Sequence, residues 1–172
     1  MSPENQDHPA GLPSELLLAV CEMERLRRSG PGGQHRNKVE TGVRLRHRPT
    51  GVRAEAFERR SQGENRRVAL ARLRVCLALE IRFALPADYC PSPLWQSRCR
   101  GGRIGVSPSH DDFPAILAEA LDVIAASDDD VQRAAGVLGC STSQLIKLLK
   151  KEPRAIGLVN QCRARRGLGP LK

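Results

Sequence analysis

The chain has 172 residues, a formal net charge of +9 at pH 7, 40% hydrophobic residues and 27% charged residues. This length has room for one domain or two small ones. No apolar run approaches the roughly 18 residues of a membrane helix, and the amino terminus lacks the basic and apolar regions of a signal peptide, so the sequence argues against a membrane or secreted protein.

The positive charge is concentrated between Arg25 and Arg82. This segment contains 16 Arg and Lys against 5 Glu, a net charge of +11, whereas the rest of the chain has 12 basic and 14 acidic residues. Such a charge density favours a polyanionic partner. The chain has only 3 Phe, 1 Tyr and 1 Trp, which are too few for base-stacking platforms. Recognition of phosphates and of shape is therefore the favoured mode.

The six cysteines form no Cys-x-x-Cys pair and no spacing typical of a zinc site. Cys21, Cys76 and Cys140 lie in apolar surroundings, which predicts buried thiols. This cysteine usage indicates a reducing, cytoplasmic compartment.

The first predicted elements are a tail, a helix and a strand. Residues 1–12 are polar and predict a disordered tail. The sequence LPSELLLAV predicts a short helix with Ser14 as its N-cap. CEMERLRR alternates from Cys21 in the manner of a strand and leads into a Gly-rich loop at residues 30–33.

A hairpin and a long helix follow. In TGVRLRHR and TGVRAEAF apolar and charged residues alternate, and RPTG between them is a tight-turn signature, so residues 41–57 predict a β-hairpin with one arginine-bearing face. Ser61 and Glu64 have capping-box spacing and precede a helical apolar pattern. Residues 13–85 are thus predicted to be a small domain of strand, Gly loop, hairpin and helix, and the fold class is α+β.

The remainder of the chain changes character. Residues 86–111 are rich in Pro and Gly and lack periodicity, which predicts a linker. Residues 112–172 predict an all-α module, in which Leu117, Leu121 and Ile124 form one apolar stripe. We expect this stripe to pack on the apolar residues of the helices that follow.

The spacing of Ala135, Gly139 and Leu145 is that of a helix-turn-helix, with Gly at the turn and Ser141 positioned to cap the second helix. A plain helical hairpin within a small bundle stays open as the alternative. A transcription regulator is disfavoured, because the positive charge lies in the other domain. Basic residues nevertheless mark this module as a second expected RNA contact: Lys147, Lys150, Lys151, Arg163, Arg165 and Arg166.

The Gly-rich loop is followed at once by Gln34. Gly32 and Gly33 allow backbone angles that are closed to other residues and let backbone N–H groups approach a ligand closely. An ordinary glycine turn would account for a bare Gly-Gly-Gln. The surrounding sequence decides between a turn and a functional loop.

The longer string SGPGGQHRNKVET is followed by the Arg-rich hairpin with PTG and then by RSQ before a basic helix. This series resembles the catalytic domain of class I peptide chain release factors and of the related codon-independent ribosome-rescue peptidyl-tRNA hydrolases. The resemblance runs from about Cys21 to Arg82 and contains several separate motifs in the family's order.

The resemblance implies that Gly32, Gly33 and Gln34 are catalytic, entering the peptidyl transferase centre and admitting water to the peptidyl-tRNA ester. The backbone N–H of Gln34 can stabilise the oxyanionic intermediate, and its neutral side chain can orient water. For the residues around the loop and at the start of the helix, the resemblance implies positioning and RNA binding: Arg28, Ser29, His35, Arg36, Asn37, Lys38, Arg60 and Gln62. The arginines of the hairpin and the helix each also fit a solvated surface charge, but together they predict RNA binding: Arg44, Arg46, Arg66 and Arg67.

Some of these assignments keep a simpler alternative. His35 also fits a turn histidine with local hydrogen bonds, and Ser61 of the RSQ motif also fits a helix cap. Arg36 departs from the small aliphatic residue common at its position in the family.

The resemblance implies no cofactor and no metal, because ribosomal RNA and tRNA supply the remaining machinery. The implied partners are large-subunit ribosomal RNA, peptidyl-tRNA and a glutamine methyltransferase acting on Gln34. The protein itself is expected to be monomeric and cytoplasmic and to have no membrane partner. About twenty residues precede the first strand, so nothing is assigned to codon reading and ribosome rescue is the expected function. The alternative is a non-catalytic ribosome- or RNA-binding protein that retains the fold.

Overall fold

The structure is a computed structural model and describes residues 8–27 and 41–172. The chain divides into two compact units, Met1–Glu80 (unit 1) and Ile81–Lys172 (unit 2). Unit 1 combines a three-stranded sheet with a long helix, and unit 2 is mainly helical with a two-stranded ribbon. The predicted α+β class is confirmed. No helix among the described residues is long and apolar enough to cross a membrane.

Unit 1 is built on an antiparallel sheet of three strands, in which each strand pairs with the next one along the chain. The predicted strand, hairpin and long helix are all present. The elements in chain order are a 3-10 turn Pro9–Gly11, α1 Ser14–Ala19, β1 Cys21–Leu26, β2 Gly42–His47, β3 Arg53–Ala56 and α2 Gln62–Glu80.

The period-two alternation of the hairpin separates an inner from an outer sheet face. Val43 and Leu45 on β2 are fully buried, and their partners on β3, Ala56 and Ala54, are buried too. Helix α2 packs on β2 and β3, and Leu73 on its buried side is inaccessible to solvent. Truncating such a leucine to alanine typically costs about 2–5 kcal/mol of stability.

The two predicted helix caps in unit 1 have different outcomes. Ser14 is the first residue of α1, not its N-cap, which is Pro13; the Ser14 hydroxyl instead accepts a hydrogen bond from Arg74 at 3.1 Å. At α2 the serine half of the predicted capping box is present, because Glu64 N–H donates to Ser61 Oγ at 3.2 Å; the Glu64 carboxylate accepts at 2.9 Å from the Ser61 hydroxyl. Ser14 thus bonds to a residue that is distant in sequence, whereas Ser61 bonds to Glu64 three residues away.

Unit 2 consists of five helices and a short ribbon among its residues, all of which are described. The predicted stripe Leu117, Leu121 and Ile124 is buried on the first long helix of the module. The elements are α3 Pro93–Arg98, β4 Cys99–Arg100, β5 Arg103–Ile104, α4 Phe113–Ala126, α5 Val131–Val137, α6 Thr142–Lys150 and α7 Pro153–Arg165.

Residues 86–111, for which the sequence predicts a linker, contain α3 and the β4–β5 ribbon within unit 2. Trp95 on α3 is buried, and its indole N–H donates to the carbonyl of Leu138 at 2.8 Å. Elements of two to six residues are too short to show periodicity, so their order depends on such tertiary anchors. The division 1–12, 13–85, 86–111 and 112–172 stays a prediction beside the two units. Residues 9–11 of the predicted tail form the 3-10 turn, in which Ala10 is buried.

Helices α5 and α6 are joined by a tight turn at Gly139, whose φ of 65° lies in the left-handed region that favours glycine. Ser141 Oγ accepts a hydrogen bond from Gln144 N–H at 3.3 Å and caps α6, as the sequence predicts. Ala135 and Leu145 are both buried, and α4 packs on α5 and α6. The segment therefore has the helix order and the buried contacts expected of a helix-turn-helix.

Candidate catalytic loop and its supporting frame

The candidate catalytic loop connects β1 to β2. Leu26 and Gly42 are the last paired residues of the two strands, so everything between them belongs to one hairpin connection. Residues 28–40 lie outside the described residues. The candidates that fall there are Arg28, Ser29, Gly32, Gly33, Gln34, His35, Arg36, Asn37 and Lys38.

Gly42 lies where the loop rejoins the sheet at β2; we call this end of the loop, Thr41 and Gly42, the loop foot. A side chain does not fit at Gly42. A Cβ added there would lie 2.5 Å from Phe57 Cδ1 and 2.8 Å from the Leu26 carbonyl oxygen. The second of these is a backbone atom and cannot rotate away. The glycine therefore lets Phe57 close over the base of the β1–β2 pair.

Asn65 fastens the same foot of the loop to helix α2. Its side chain is fully buried, and its Nδ2 donates to the Thr41 carbonyl at 2.6 Å and to the Arg59 carbonyl at 3.1 Å. Its Oδ1 accepts from Arg59 N–H at 2.9 Å. One buried amide thus joins the loop foot, the segment before α2 and the helix itself.

Sequence reasoning missed Asn65. The signal was present, because Asn65 lies at a four-residue spacing before Ala69, Leu73 and Leu77 on the buried side of α2. A polar residue on an apolar stripe must find hydrogen-bond partners in the folded protein. Nothing in the sequence identifies Thr41 as one of them.

The segment between β3 and α2 is fastened by a second set of contacts. Arg72 on α2 donates to the Glu55 carbonyl at 2.7 Å and to the Glu58 carboxylate. Glu58 Oε2 also accepts from Phe57 N–H at 2.9 Å, and this hydrogen bond, with the nearby Arg72 charge, lowers the pKa of Glu58. Asn65, Gly42 and these contacts form what we call the loop frame.

The predicted RNA-binding residues just before α2 and in its first turns are close in sequence to Asn65 of this frame. Arg60, Arg66 and Arg67 are exposed and make no ion pair with any residue in 8–27 or 41–172, and Gln62 is half-buried. They lie at the end of α2 that Asn65 ties to the loop foot. Uncompensated cations at the base of the candidate loop are what phosphate binding requires.

Arg44 and Arg46 lie in a different environment, on the outer face of the sheet. Arg44 Nε contacts Glu55 at 2.5 Å and its NH1 contacts Glu24 at 2.8 Å, whereas Arg46 is 3.8 Å from the Glu22 carboxylate. Hydrogen bonds to Glu55 and Glu24 raise the pKa of Arg44. The Arg44 charge is thus compensated within the sheet, and RNA contact by Arg44 and Arg46 stays a prediction.

The described residues offer no group of His, Cys, Asp and Glu that could hold a metal ion. The frame itself presents backbone N–H groups, the Asn65 amide and, beside it, exposed arginines. Such groups bind anions and stabilise developing negative charge.

Residues 15–84 match the family described as the RF-1 domain. The matched segment contains the sheet, helix α2 and the loop between β1 and β2. The chain therefore contains a domain of the RF-1 family, the GGQ-domain family of class I release factors.

Two curated proteins illustrate the similarity. The chain is 42% identical over 73 residues to peptide chain release factor 1 of Acidiphilium cryptum (strain JF-5), which covers 42% of this chain and 21% of that protein. It is 51% identical over 60 residues to peptide chain release factor 2 of Variovorax paradoxus (strain S110), which covers 35% of this chain and 16% of that protein. The chain thus spans about a fifth of the length of these relatives or less.

Proposed function

We propose that the chain is a codon-independent, release factor-like hydrolase that cleaves the ester of peptidyl-tRNA on stalled ribosomes. The observation that carries the proposal is an RF-1 domain with an intact Gly32-Gly33-Gln34 in the connection between β1 and β2. A protein that only bound RNA would have no use for this tripeptide. The similarity to two proteins named as peptide chain release factors supports the same class of reaction.

The proposed reaction is a simple hydrolysis. The oxygen of a water molecule bonds to the ester carbonyl carbon, the bond from this carbon to the ribose oxygen breaks, and the ribose oxygen takes up a proton. The peptide leaves as a carboxylic acid. The backbone N–H of Gln34 stabilises the oxyanion, and the Gln34 side chain orients the water.

The loop frame contributes to this reaction by positioning. A loop that must reach into a ribosomal cavity needs a fixed base, and a misplacement of about 1 Å can cost two orders of magnitude in rate. Asn65 and Gly42 fix one foot of the loop to α2 and to Phe57. They are positioning residues in this proposal.

The proposed partners are large-subunit ribosomal RNA and peptidyl-tRNA, with a glutamine methyltransferase acting on Gln34. Arg60, Arg66 and Arg67 supply phosphate contacts beside the loop, because they are exposed and unpaired among the described residues. We further propose that the protein acts in the cytoplasm as a monomer.

The test is peptide release from purified ribosomes that carry a labelled peptidyl-tRNA in the P site. The A site is left empty of mRNA, or is programmed with a sense codon or with a stop codon, and the released peptide is quantified. We expect release with an empty A site and a loss of release in Gln34→Ala and Gly33→Ala proteins that still bind ribosomes. No release in any complex would overturn the hydrolase, and release at stop codons alone would overturn codon independence.

A further inference from the structure

Unit 2 carries a second cationic surface, formed by the β4–β5 ribbon and helix α6. Residues 99–108 contain two Arg and no acidic residue, and residues 139–151 contain three Lys and no acidic residue. The two segments are distant in sequence but adjacent in the fold, since Ser141 N–H donates to the Gly102 carbonyl at 3.4 Å. We call them together the ribbon–helix surface.

The ribbon turns through Gly101 and Gly102, whose φ values of 56° and 74° are both left-handed. This is the two-residue turn that best matches the twist of a hairpin, and it requires residues tolerant of positive φ. Arg100 and Arg103 are direct partners across the strands, so both side chains lie on one face of the ribbon, and both are exposed. Like charges placed directly opposite each other destabilise a strand pair. Folding alone therefore does not explain this pair of arginines.

Two further contacts hold the ribbon segment along α6. Ile104 N–H donates to the side-chain Oε1 of Gln144 at 3.3 Å, and Lys151 Nζ donates to the Val106 carbonyl. The ribbon tip thus lies at the amino-terminal end of α6, and the chain after β5 follows the helix toward its carboxyl-terminal end.

The exposed side of α6 continues the positive charge. Ser143, Lys147 and Lys150 follow the i, i+4, i+7 spacing of one helix face and are exposed, whereas Leu145 and Leu149 are buried on the other side. Neither lysine makes an ion pair with a described residue.

Four arginines elsewhere in unit 2 are paired with carboxylates of the same unit. The pairs are Arg98–Asp112, Arg133–Asp128, Arg154–Glu152, Arg166–Asp128 and Arg166–Asp129. Arg163, which the sequence placed with the RNA-binding residues, donates to the carbonyls of Asp129 and Gly169. Arg165 and Lys172 near the carboxyl terminus are exposed and also lack a carboxylate partner among the residues that the structure describes. The ribbon–helix surface is distinguished by the grouping of its uncompensated charges, Arg100, Arg103, Lys147 and Lys150, on two adjacent segments that contain no acidic residue.

We propose that unit 2 binds the sugar–phosphate backbone of an RNA duplex through the ribbon–helix surface. The choice of RNA rests on the proposed function, which places the protein on the ribosome. A duplex is favoured over a single strand because the surface offers no aromatic side chain for base stacking. The major groove of an RNA duplex is closed to side chains, so the ribbon and α6 contact phosphates and 2′-hydroxyls across the minor groove.

The experiment uses the full chain and a fluorescent 20-base-pair RNA duplex, with binding measured by anisotropy from 50 to 200 mM salt. Single-stranded RNA and a DNA duplex of the same sequence serve as comparison probes. The test variant is Arg103→Ala/Lys147→Ala. The matched control is Arg133→Ala/Arg154→Ala, which also loses two exposed cations of unit 2, but cations that are paired with Asp128 and Glu152.

We expect the test variant to bind the RNA duplex more weakly than wild type. The slope of log affinity against log salt concentration should be smaller by roughly two, so that raising salt from 50 to 200 mM lowers the affinity of the variant about tenfold less than that of wild type. The control should keep the wild-type slope. Equal losses in both variants, or an unchanged slope in the test variant, would overturn the surface. Binding that prefers single strands, or prefers the DNA duplex, would overturn the RNA duplex as its ligand.

A second measurement separates this inference from the proposed function. In the peptide-release assay the test variant should need a higher protein concentration for half-maximal release, while its saturated rate stays that of wild type, because a second tethered contact changes affinity and not chemistry. If the wild-type chain releases no peptide but the test variant still loses duplex binding, the hydrolase fails and the surface stands. A lowered saturated rate with unchanged half-maximal concentration would contradict the surface.

Discussion

Replacing Asn65 with alanine should uncouple the candidate catalytic loop from its frame. The substitution removes the donors to the Thr41 and Arg59 carbonyls and the acceptor for Arg59 N–H, three hydrogen bonds of 2.6–3.1 Å around a fully buried side chain. A typical net hydrogen bond contributes about 0.5–1.5 kcal/mol, and a buried group left unsatisfied costs about 1–3 kcal/mol. We therefore expect a loss of roughly 2–4 kcal/mol in the free energy of unfolding.

The functional effect should be separable from the loss of stability. Urea denaturation of the full chain gives the change in unfolding free energy, and peptide release at saturating protein, well below the transition, gives the rate. Because the Thr41 carbonyl lies at the loop foot, we expect the saturated rate to fall by at least tenfold while ribosome binding is retained.

The matched control is Asn160→Ala in unit 2. The Asn160 side chain also joins backbone groups, accepting from Leu171 N–H at 2.7 Å and donating to the Leu171 carbonyl at 3.3 Å, but it lies in the helical unit. The control should lose stability without losing release. If Asn65→Ala releases peptide at the wild-type rate, or if both variants lose release equally, the amide does not position the loop and the reasoning is refuted.

Three further outcomes are expected. Gly42→Ala should destabilise the chain by at least about 1 kcal/mol, measured by urea denaturation, since its Cβ would meet backbone at 2.8 Å; an unchanged midpoint would contradict the close packing. Arg66→Ala/Arg67→Ala should lower the salt slope of ribosome binding by roughly two, and Arg44→Ala should lower it less than either single Arg66 or Arg67 substitution, because Glu24 and Glu55 already compensate the Arg44 charge; a larger effect of Arg44→Ala would place the main RNA contact on the sheet. Burial raises the pKa of Asp122 to about 6. The contribution of this carboxyl group to stability is therefore full below pH about 4 and is lost as pH rises through 6. Asp122→Asn should remove this part of the pH dependence of the thermal midpoint, and a variant with the wild-type pH profile would show that Asp122 is not responsible.

The sequence by itself determined the elements whose information is local. The hairpin follows from period-two alternation with a PTG turn, and α2 follows from a capping box and a helical apolar pattern. The turn at Gly139 and the cap at Ser141 were readable for the same reason, because each depends on neighbouring residues. The Gly32-Gly33-Gln34 tripeptide was identified by its surrounding string, since motif order is also a property of sequence.

Only the tertiary structure decided which polar groups meet across long sequence separations. Asn65 and Thr41 are 24 positions apart, and Ile104 and Gln144 are 40 apart. The same holds for charge: Arg44 and Arg66 look alike in the sequence, yet Glu24 and Glu55 neutralise the first across neighbouring strands, whereas the second stays uncompensated among the described residues. The reason is physical, because pairing depends on which backbones the hydrophobic core brings together, and a charge finds its partner only after that packing is set.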